Sequence, residues 1–191
     1  MLNIVILGAP GSGKGTLSKS IIEKYGLHHI STGDVLREEM ENQTVLGEIA
    51  KEYIHAGKLV PDQLIIDMIP DVLDKIPNPK GYIFDGFPRT ITQAQALDEL
   101  LRERNTPITA VLMLLVDEDV LIQRILKRSN LENRTDDTLE TVQKRLEVYK
   151  NQTEPLKEYY KKMGKLFKIK GGGTPADTFE HAAEVIDRLV Y

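Results

Sequence analysis

The stretch "NIVILGAPGSGKGT", Asn3 to Thr16, joins an apolar run to a glycine-rich turn, and a helix-period segment marked by Leu17, Ile21 and Tyr25 comes next. Within it, "GAPGSGK" (Gly8 to Lys14) has the G-x-x-x-x-G-K spacing of a phosphate-binding loop. Glycines let backbone N–H groups turn inward onto phosphate oxygens without Cβ clashes. A helix beginning near Gly15 adds its positive N-terminal end, and Lys14 supplies a mobile cation for the β- and γ-phosphates. A tight turn alone would explain the glycines but neither the spacing nor the lysine. The loop therefore reads as the seat of a nucleotide polyphosphate. The residue after the lysine is Gly15, and the hydroxyl comes one later, at Thr16. A magnesium ion would then be held mainly by phosphate oxygens and water. The same departure argues against a switch GTPase, whose mechanism depends on a hydroxyl directly after the lysine.

Working outward, short apolar runs alternate with amphipathic segments. Strands are expected at Ile4–Leu7, His28–Ile30, Tyr82–Phe84, Ala110–Val116 and Leu166–Ile169. The first, third and fourth are apolar at successive positions, as strands buried on both faces are. Helix-period segments carry Leu64 to Val72, Ala94 to Leu101, Leu121 to Leu126 and Pro175 to Leu189, and a charged segment runs from about Asp136 to Met163, broken or kinked by Pro155. This alternation predicts a three-layer α/β/α domain built on a five-stranded parallel sheet. The 191 residues suffice for one such domain, 1–191. A net charge of −4 argues against a nucleic-acid surface, and no run has the length of a membrane span. The chain has no cysteine, which excludes disulfides and thiolate metal sites and fits a reducing cytoplasm. Small-molecule partners and a monomer are expected.

A second phosphate-binding region is suggested downstream. "ISTGDVLREEM" sets Ser31 and Thr32 at a helix N-terminus with Arg37 one turn on, although a cap and a solvated arginine account for it equally well. "GFPR" lies just past the end of a buried strand, where ligands bind in open α/β sheets. There Gly86 permits close backbone approach, Pro88 stiffens the loop and Arg89 offers a planar fork for phosphate. Asp85, at the strand tip, is a candidate acceptor for magnesium-bound water or a loop cap. Arg124 and Arg128 share a helix face. Arg134 falls in a short polar loop, "SNLENRTDD", and Arg145 on the helix beyond it. His28, His29, His55 and His181 lie outside these motifs and read as structural.

"GAPGSGKGT", "ISTGDVLR" (Ile30 to Arg37), "GKLVPD" (Gly57 to Asp62), "FDGFPRTITQAQAL" (Phe84 to Leu97), "RILKRS" (Arg124 to Ser129), "NRTDDTLETVQKRL" (Asn133 to Leu146) and "GGGT" (Gly171 to Thr174) together resemble the adenylate kinase family, over nearly the whole chain. The resemblance implies reversible transfer of the terminal phosphoryl group of ATP to AMP, giving two ADP, with magnesium. It also implies site roles. Gly11, Ser12, Gly13, Lys14, Gly15, Thr16, Arg128 and the Gly173 backbone would hold ATP, although "GGGT" could equally be a plain strand-to-helix turn. Thr32, Arg37, Lys58, Leu59, Val60, Gly86, Phe87, Pro88, Arg89 and Gln93 would receive AMP, with Gln93 reading the purine edge. Lys14, Arg89, Arg124, Arg134 and Arg145 would act on the transferring phosphate, with no general base. Residues 31–60 would form a mobile monophosphate-binding segment and 128–138 a short lid, on a core of 1–30, 61–127 and 139–191. Zinc is not expected in that lid without cysteines.

A UMP/CMP kinase shares this pattern, but such enzymes usually carry alanine at the position of Thr32 and asparagine at that of Thr90. A non-catalytic nucleotide-binding module would be expected to lack Arg89, Arg134 or Arg145, all present here. A hydrolytic ATPase or GTPase would need a residue to position water, and none is evident.

Overall fold

β1 (Leu2–Leu7) is the centre of a parallel sheet whose strand order is β2-β3-β1-β4-β5, the others being β2 (His28–Ser31), β3 (Gly81–Asp85), β4 (Ala110–Leu115) and β5 (Leu166–Lys170). The structure is a computed structural model that describes residues 1–132 and 138–190, with the backbone alone for Leu126 and 128–132. Each strand lies within two residues of its expected span.

Strand alternation sorts the core into two layers. Ile4 and Ile6 join Ile83, Leu112 and Ile169 on one face, under Leu17 and Ile21 of α1 (Lys14–Tyr25) and Ala182 and Ile186 of α9 (Pro175–Val190). Val5 and Leu7 join Phe84, Val111 and Met113 on the other. That face is covered by Ile65 and Ile69 of α4 (Asp62–Asp74), Leu97 and Leu101 of α5 (Ile91–Glu103), and Leu156 and Tyr160 of α8 (Leu156–Lys162). Burying a side chain of this size contributes about 1.5–3 kcal/mol each. The three-layer expectation is met. Among the described residues no helix is long and apolar enough to cross a membrane.

The remaining helices are α2 (Thr32–Glu41), α3 (Val45–His55), α6 (Glu118–Glu132) and α7 (Leu139–Val148). Several begin on hydroxyl caps: Ser31 accepts from the Asp34 amide at 3.2 Å, Thr44 from Gly47 at 3.0 Å and Thr90 from Gln93 at 3.2 Å. Such a cap is worth about 1 kcal/mol. The charged segment divides as its proline suggests, into α7, a π-helical turn over Tyr149–Thr153, and α8 after Pro155. One boundary differs. Ser129 to Glu132, read as loop, continue α6, because no glycine or proline interrupts the backbone there. The next cap, Thr138, opens α7.

α2 and α3 pack so closely that a Cβ on Gly47 would stand 2.1 Å from the Glu39 carbonyl oxygen. Gly47→Ala is therefore expected to lower the unfolding free energy by about 1–3 kcal/mol. Gly172→Ala, where a Cβ meets nothing within 4 Å, should change it little. Denaturant melts of the two variants against the parent check both.

Candidate active site

Register decides what meets at the carboxyl edge of the sheet. Ile6 pairs with Asp85, Ser31 also pairs with Asp85, and Leu115 pairs with Lys170. The segments that leave these strands, at Gly8, Gly86, Thr32 and Gly171, consequently emerge side by side. This edge is the usual ligand crevice of open α/β sheets.

The glycine loop needs its glycines for specific reasons. Gly11 and Gly13 have φ of 80° and 95°, and a Cβ on Gly11 would lie 2.7 Å from Ile125 Cγ1 and 2.8 Å from the Leu121 carbonyl oxygen. α6 is packed against the loop through Leu121 and Ile125, which cluster with Ala9 and with Val142 and Leu146 of α7. Ser12 is buried and its amide donates to the Ala9 carbonyl at 3.1 Å. Lys14 Nζ donates to the carbonyls of Gly8 at 2.9 Å and Ala9 at 3.1 Å, which holds the ammonium across the loop. Gly15 and Thr16 are exposed in the first turn of α1. Arg124 reaches from α6 to the carbonyls of Ser12 at 3.5 Å and Gly171 at 3.4 Å, so it bridges the loop and the end of β5.

Beside this loop stands Asp85. Its Oδ2 lies 3.5 Å from Ser18 Oγ, 3.5 Å from His29 Nε2 and 4.0 Å from where a Cβ on Gly15 would be. Burial is the largest single influence on this carboxyl and pushes its pKa up. The His29 hydrogen bond and the charges of Lys14, His29 and Arg89 together outweigh it, so Asp85 sits below the ordinary carboxylate value. His29, read from sequence as merely structural, therefore touches the site. Among the described residues no group of three carboxylates or histidines is placed to hold a metal. A single ionised carboxylate facing the loop fits a magnesium ion carried by phosphate oxygens and water, whose water Asp85 would be placed to accept from.

The second cleft is built around one carbonyl. Gly86 O accepts from Thr32 Oγ1 at 2.9 Å and from Arg89 Nε at 2.7 Å, which leaves the terminal nitrogens of Arg89 for a ligand. Gly86 has φ of 79°, and a Cβ there would come within 2.9 Å of Arg89 Nη2. The Arg89 backbone is fixed at both ends: its amide donates to Gln93 Oε1 at 2.8 Å and its carbonyl accepts from Thr153 Oγ1 at 2.7 Å. Arg37 is paired with Asp34. A cavity of about 100 Å³, open to solvent, is lined by Thr32, Arg37, Gly86, Arg89 and Gln93 together with Lys58, Leu59 and Val60. Phe87 is buried in the core beside buried Pro88, and neither lines that cavity; they hold the turn between Gly86 and Arg89.

Arg89 keeps solvent access at the cleft mouth, yet the surrounding walls desolvate its guanidinium and lower its pKa. Arg145 and Arg37 lower it further and Asp85 opposes them, so these four charges are near neighbours. Arg145 is half-buried on α7. Arg128 belongs to the backbone of α6, and its side chain lies outside the described residues, as does the whole of Arg134. Gly173 lies at the start of α9, where Thr174 and Asp177 cap each other's amides at 3.2 and 2.9 Å. Reasoning from sequence missed three contributors. Asp62, whose Oδ1 accepts from Gln93 Nε2 at 2.9 Å, offered only its place at a helix start. His29 offered only its position on a strand beside the cap Ser31. Thr153 lay in a charged helical run with nothing to mark it.

A family model described as Adenylate kinase matches residues 6–165. A protein of Azobacteroides pseudotrichonymphae named "Adenylate kinase" is 58% identical over 189 residues, 99% of each chain. Proteins of the same name from Parabacteroides distasonis and Bacteroides fragilis are 55% and 54% identical, over 99% of this chain and all of theirs.

The depressed pKa of Asp85 has a consequence for acid stability. A carboxyl that titrates lower when folded than its ordinary 3.8 stabilises the fold above that value, and the contribution is lost as pH falls through the folded pKa. Asp85→Asn removes this contribution. The stability gap between parent and Asp85→Asn should therefore be widest near neutral pH and shrink steadily below about pH 4. Denaturant unfolding of both proteins across pH 3–7 checks it. The carboxylates Asp34, Asp177 and Asp187, also held low, cancel in the difference.

Proposed function

This chain belongs to the adenylate kinase family, and we propose that its two neighbouring phosphate-binding elements hold ATP and AMP for direct transfer between them. The reaction is the reversible transfer of the terminal phosphoryl group of ATP to AMP, giving two ADP. The observation that carries the site assignment is the emergence of the glycine loop and the Arg89 cleft from adjacent, registered strands.

In this reading the loop Gly11 to Thr16 cradles the ATP phosphates, with Lys14 leaving the Gly8 and Ala9 carbonyls for phosphate oxygens. Arg124, Arg128 and the Gly173 backbone complete the donor side. Thr32, Arg37, Arg89 and Gln93 receive AMP, with the backbone of Lys58, Leu59 and Val60 around its base. Lys14, Arg89, Arg124, Arg134 and Arg145 stabilise the charge that develops on the equatorial oxygens, which is the main requirement of phosphoryl transfer. The acceptor phosphate is already ionised at neutral pH, so no base is assigned. Magnesium bound with ATP supplies further charge neutralisation, and Asp85 is the residue that would orient its water. Residues 31–60 serve as the monophosphate-binding segment and 128–138 as a short lid that excludes water. A monomer in the cytoplasm is the proposed setting, the absence of cysteine fitting a reducing compartment.

A coupled assay of ADP formation with AMP, UMP, CMP and GMP offered in turn tests the reading. AMP should be the best acceptor, and faster turnover with UMP or CMP would overturn it. Lys14→Met should lower kcat by about 10²–10³ with the melting temperature preserved. Arg37→Ala should instead raise the KM for AMP by more than it lowers kcat, because it grips a phosphate bound in ground and transition states alike.

A further inference from the structure

Gln93 is only 2% exposed, yet it lines the acceptor cavity. Its carboxamide is held from two sides. Oε1 accepts from the Arg89 amide at 2.8 Å, and Nε2 donates to Asp62 Oδ1 at 2.9 Å. Neither partner can reverse its role. A backbone N–H only donates and a carboxylate oxygen only accepts. The two bonds therefore fix which end of the amide is oxygen and which is nitrogen. Asp62 is itself anchored, since the same Oδ1 accepts from Thr90 Oγ1 at 3.0 Å, while Thr90 Oγ1 accepts from the Gln93 amide at 3.2 Å. The first residue of α4 is thus locked to the first turn of α5.

We infer that Asp62 is a specificity-positioning residue: it fixes the carboxamide of Gln93 in the one orientation that matches a 6-aminopurine and opposes a 6-oxopurine. The chemistry lies in the groups left unpaired. Nε2 keeps one N–H and Oε1 keeps one lone pair for the cavity. An adenine edge offers an acceptor at N1 beside a donor at its amino group, which is complementary to a donor beside an acceptor. A guanine edge offers a donor at N1 beside an acceptor at O6, the reverse pattern. A freely rotating glutamine would turn by 180° and serve both. One clamped by Asp62 serves adenine alone, because turning it would face two acceptors at Asp62 and two donors at Arg89. Thr90 belongs to this lock as the hydroxyl that holds Asp62 in place.

The inference rests on the assignment of this cleft to AMP, and the experiment separates the two. Asp62→Asn keeps the shape but can turn its own amide and offer Nδ2 where Oδ1 stood, which tolerates a turned Gln93; Asp62→Ala removes the carboxylate side of the clamp and leaves the Arg89 amide alone. For each, kcat and KM are measured with AMP and with GMP. The ratio of kcat/KM for AMP over GMP should fall by about tenfold or more in both variants. Asp62 reaches no phosphate, so the loss should appear in the AMP-to-GMP ratio more strongly than in kcat at saturating AMP. A purely structural role would raise both KM values together and leave the ratio unchanged, and that result, in an Asp62→Asn protein with the parent's melting temperature, overturns the inference. If Asp62→Ala fails to fold, Asp62→Asn decides alone. If instead the parent itself does not prefer AMP, the cleft assignment has failed, a result visible before either variant is made.

Discussion

The parallel register between β1 and β3 is the constraint on which the rest depends. Opposing Ile6 to Asp85 sets the end of one strand level with the end of the other. The glycine loop and the Gly86 turn then leave the sheet as neighbours rather than at different heights. A slip of one residue would invert every side chain on β3, sending Phe84 and Ile83 to the wrong faces of a core where both are fully buried. The apolar packing that specifies the register also specifies the distance between the glycine loop and the Gly86 turn. Core energetics and site geometry are therefore one problem.

Lys14, Arg37, Arg89 and Arg145 gather on this edge, and so much positive charge would oppose folding if left uncompensated. The compensation used is of a kind that a phosphate can displace. Lys14 rests on backbone carbonyls, Arg37 on the exposed Asp34, and Arg89 on the Gly86 carbonyl through Nε alone. Surface ion pairs are worth at most about 1 kcal/mol. A charge-assisted bond from guanidinium to phosphate exceeds that. Asp85 is the exception, more deeply set and kept ionised, and it gives this edge a fixed negative charge.

The fold was largely legible because burial on both faces leaves an unbroken apolar signature in β1, β3 and β4, and because "GAPGSGK" marks the turn that ends β1 and the helix beyond it. Arg89 and Thr32 were legible for a similar reason, since each sits at a strand end beside a turn signal. Contact between distant segments escaped. Nothing in "VPDQL" shows that Asp62 will meet Gln93 across two helix starts. Thr153 became a ligand of the Arg89 carbonyl only because the chain widens into a π-helical turn there. The end of α6 was misplaced because polarity was read as loop where only glycine, proline or a cap stops a helix.

The segment from Thr32 to Val60 is joined to the main core through Leu36, Ala50 and Val60 and is stiff within itself. Contact of α2 with α3 at Gly47 leaves no room for one helix to slide on the other. At its entry, Ser31 belongs to β2 and caps α2 at the same time, so the chain passes from sheet to helix without slack. Near its exit, Gly57, with φ of 69°, turns the chain against Thr141 and Lys144 of α7, the helix that also carries Arg145. Thr32, Arg37 and Lys58 are therefore held in one packed unit. It meets α7, the helix that carries Arg145, so the position of this segment and that of Arg145 are coupled by direct packing.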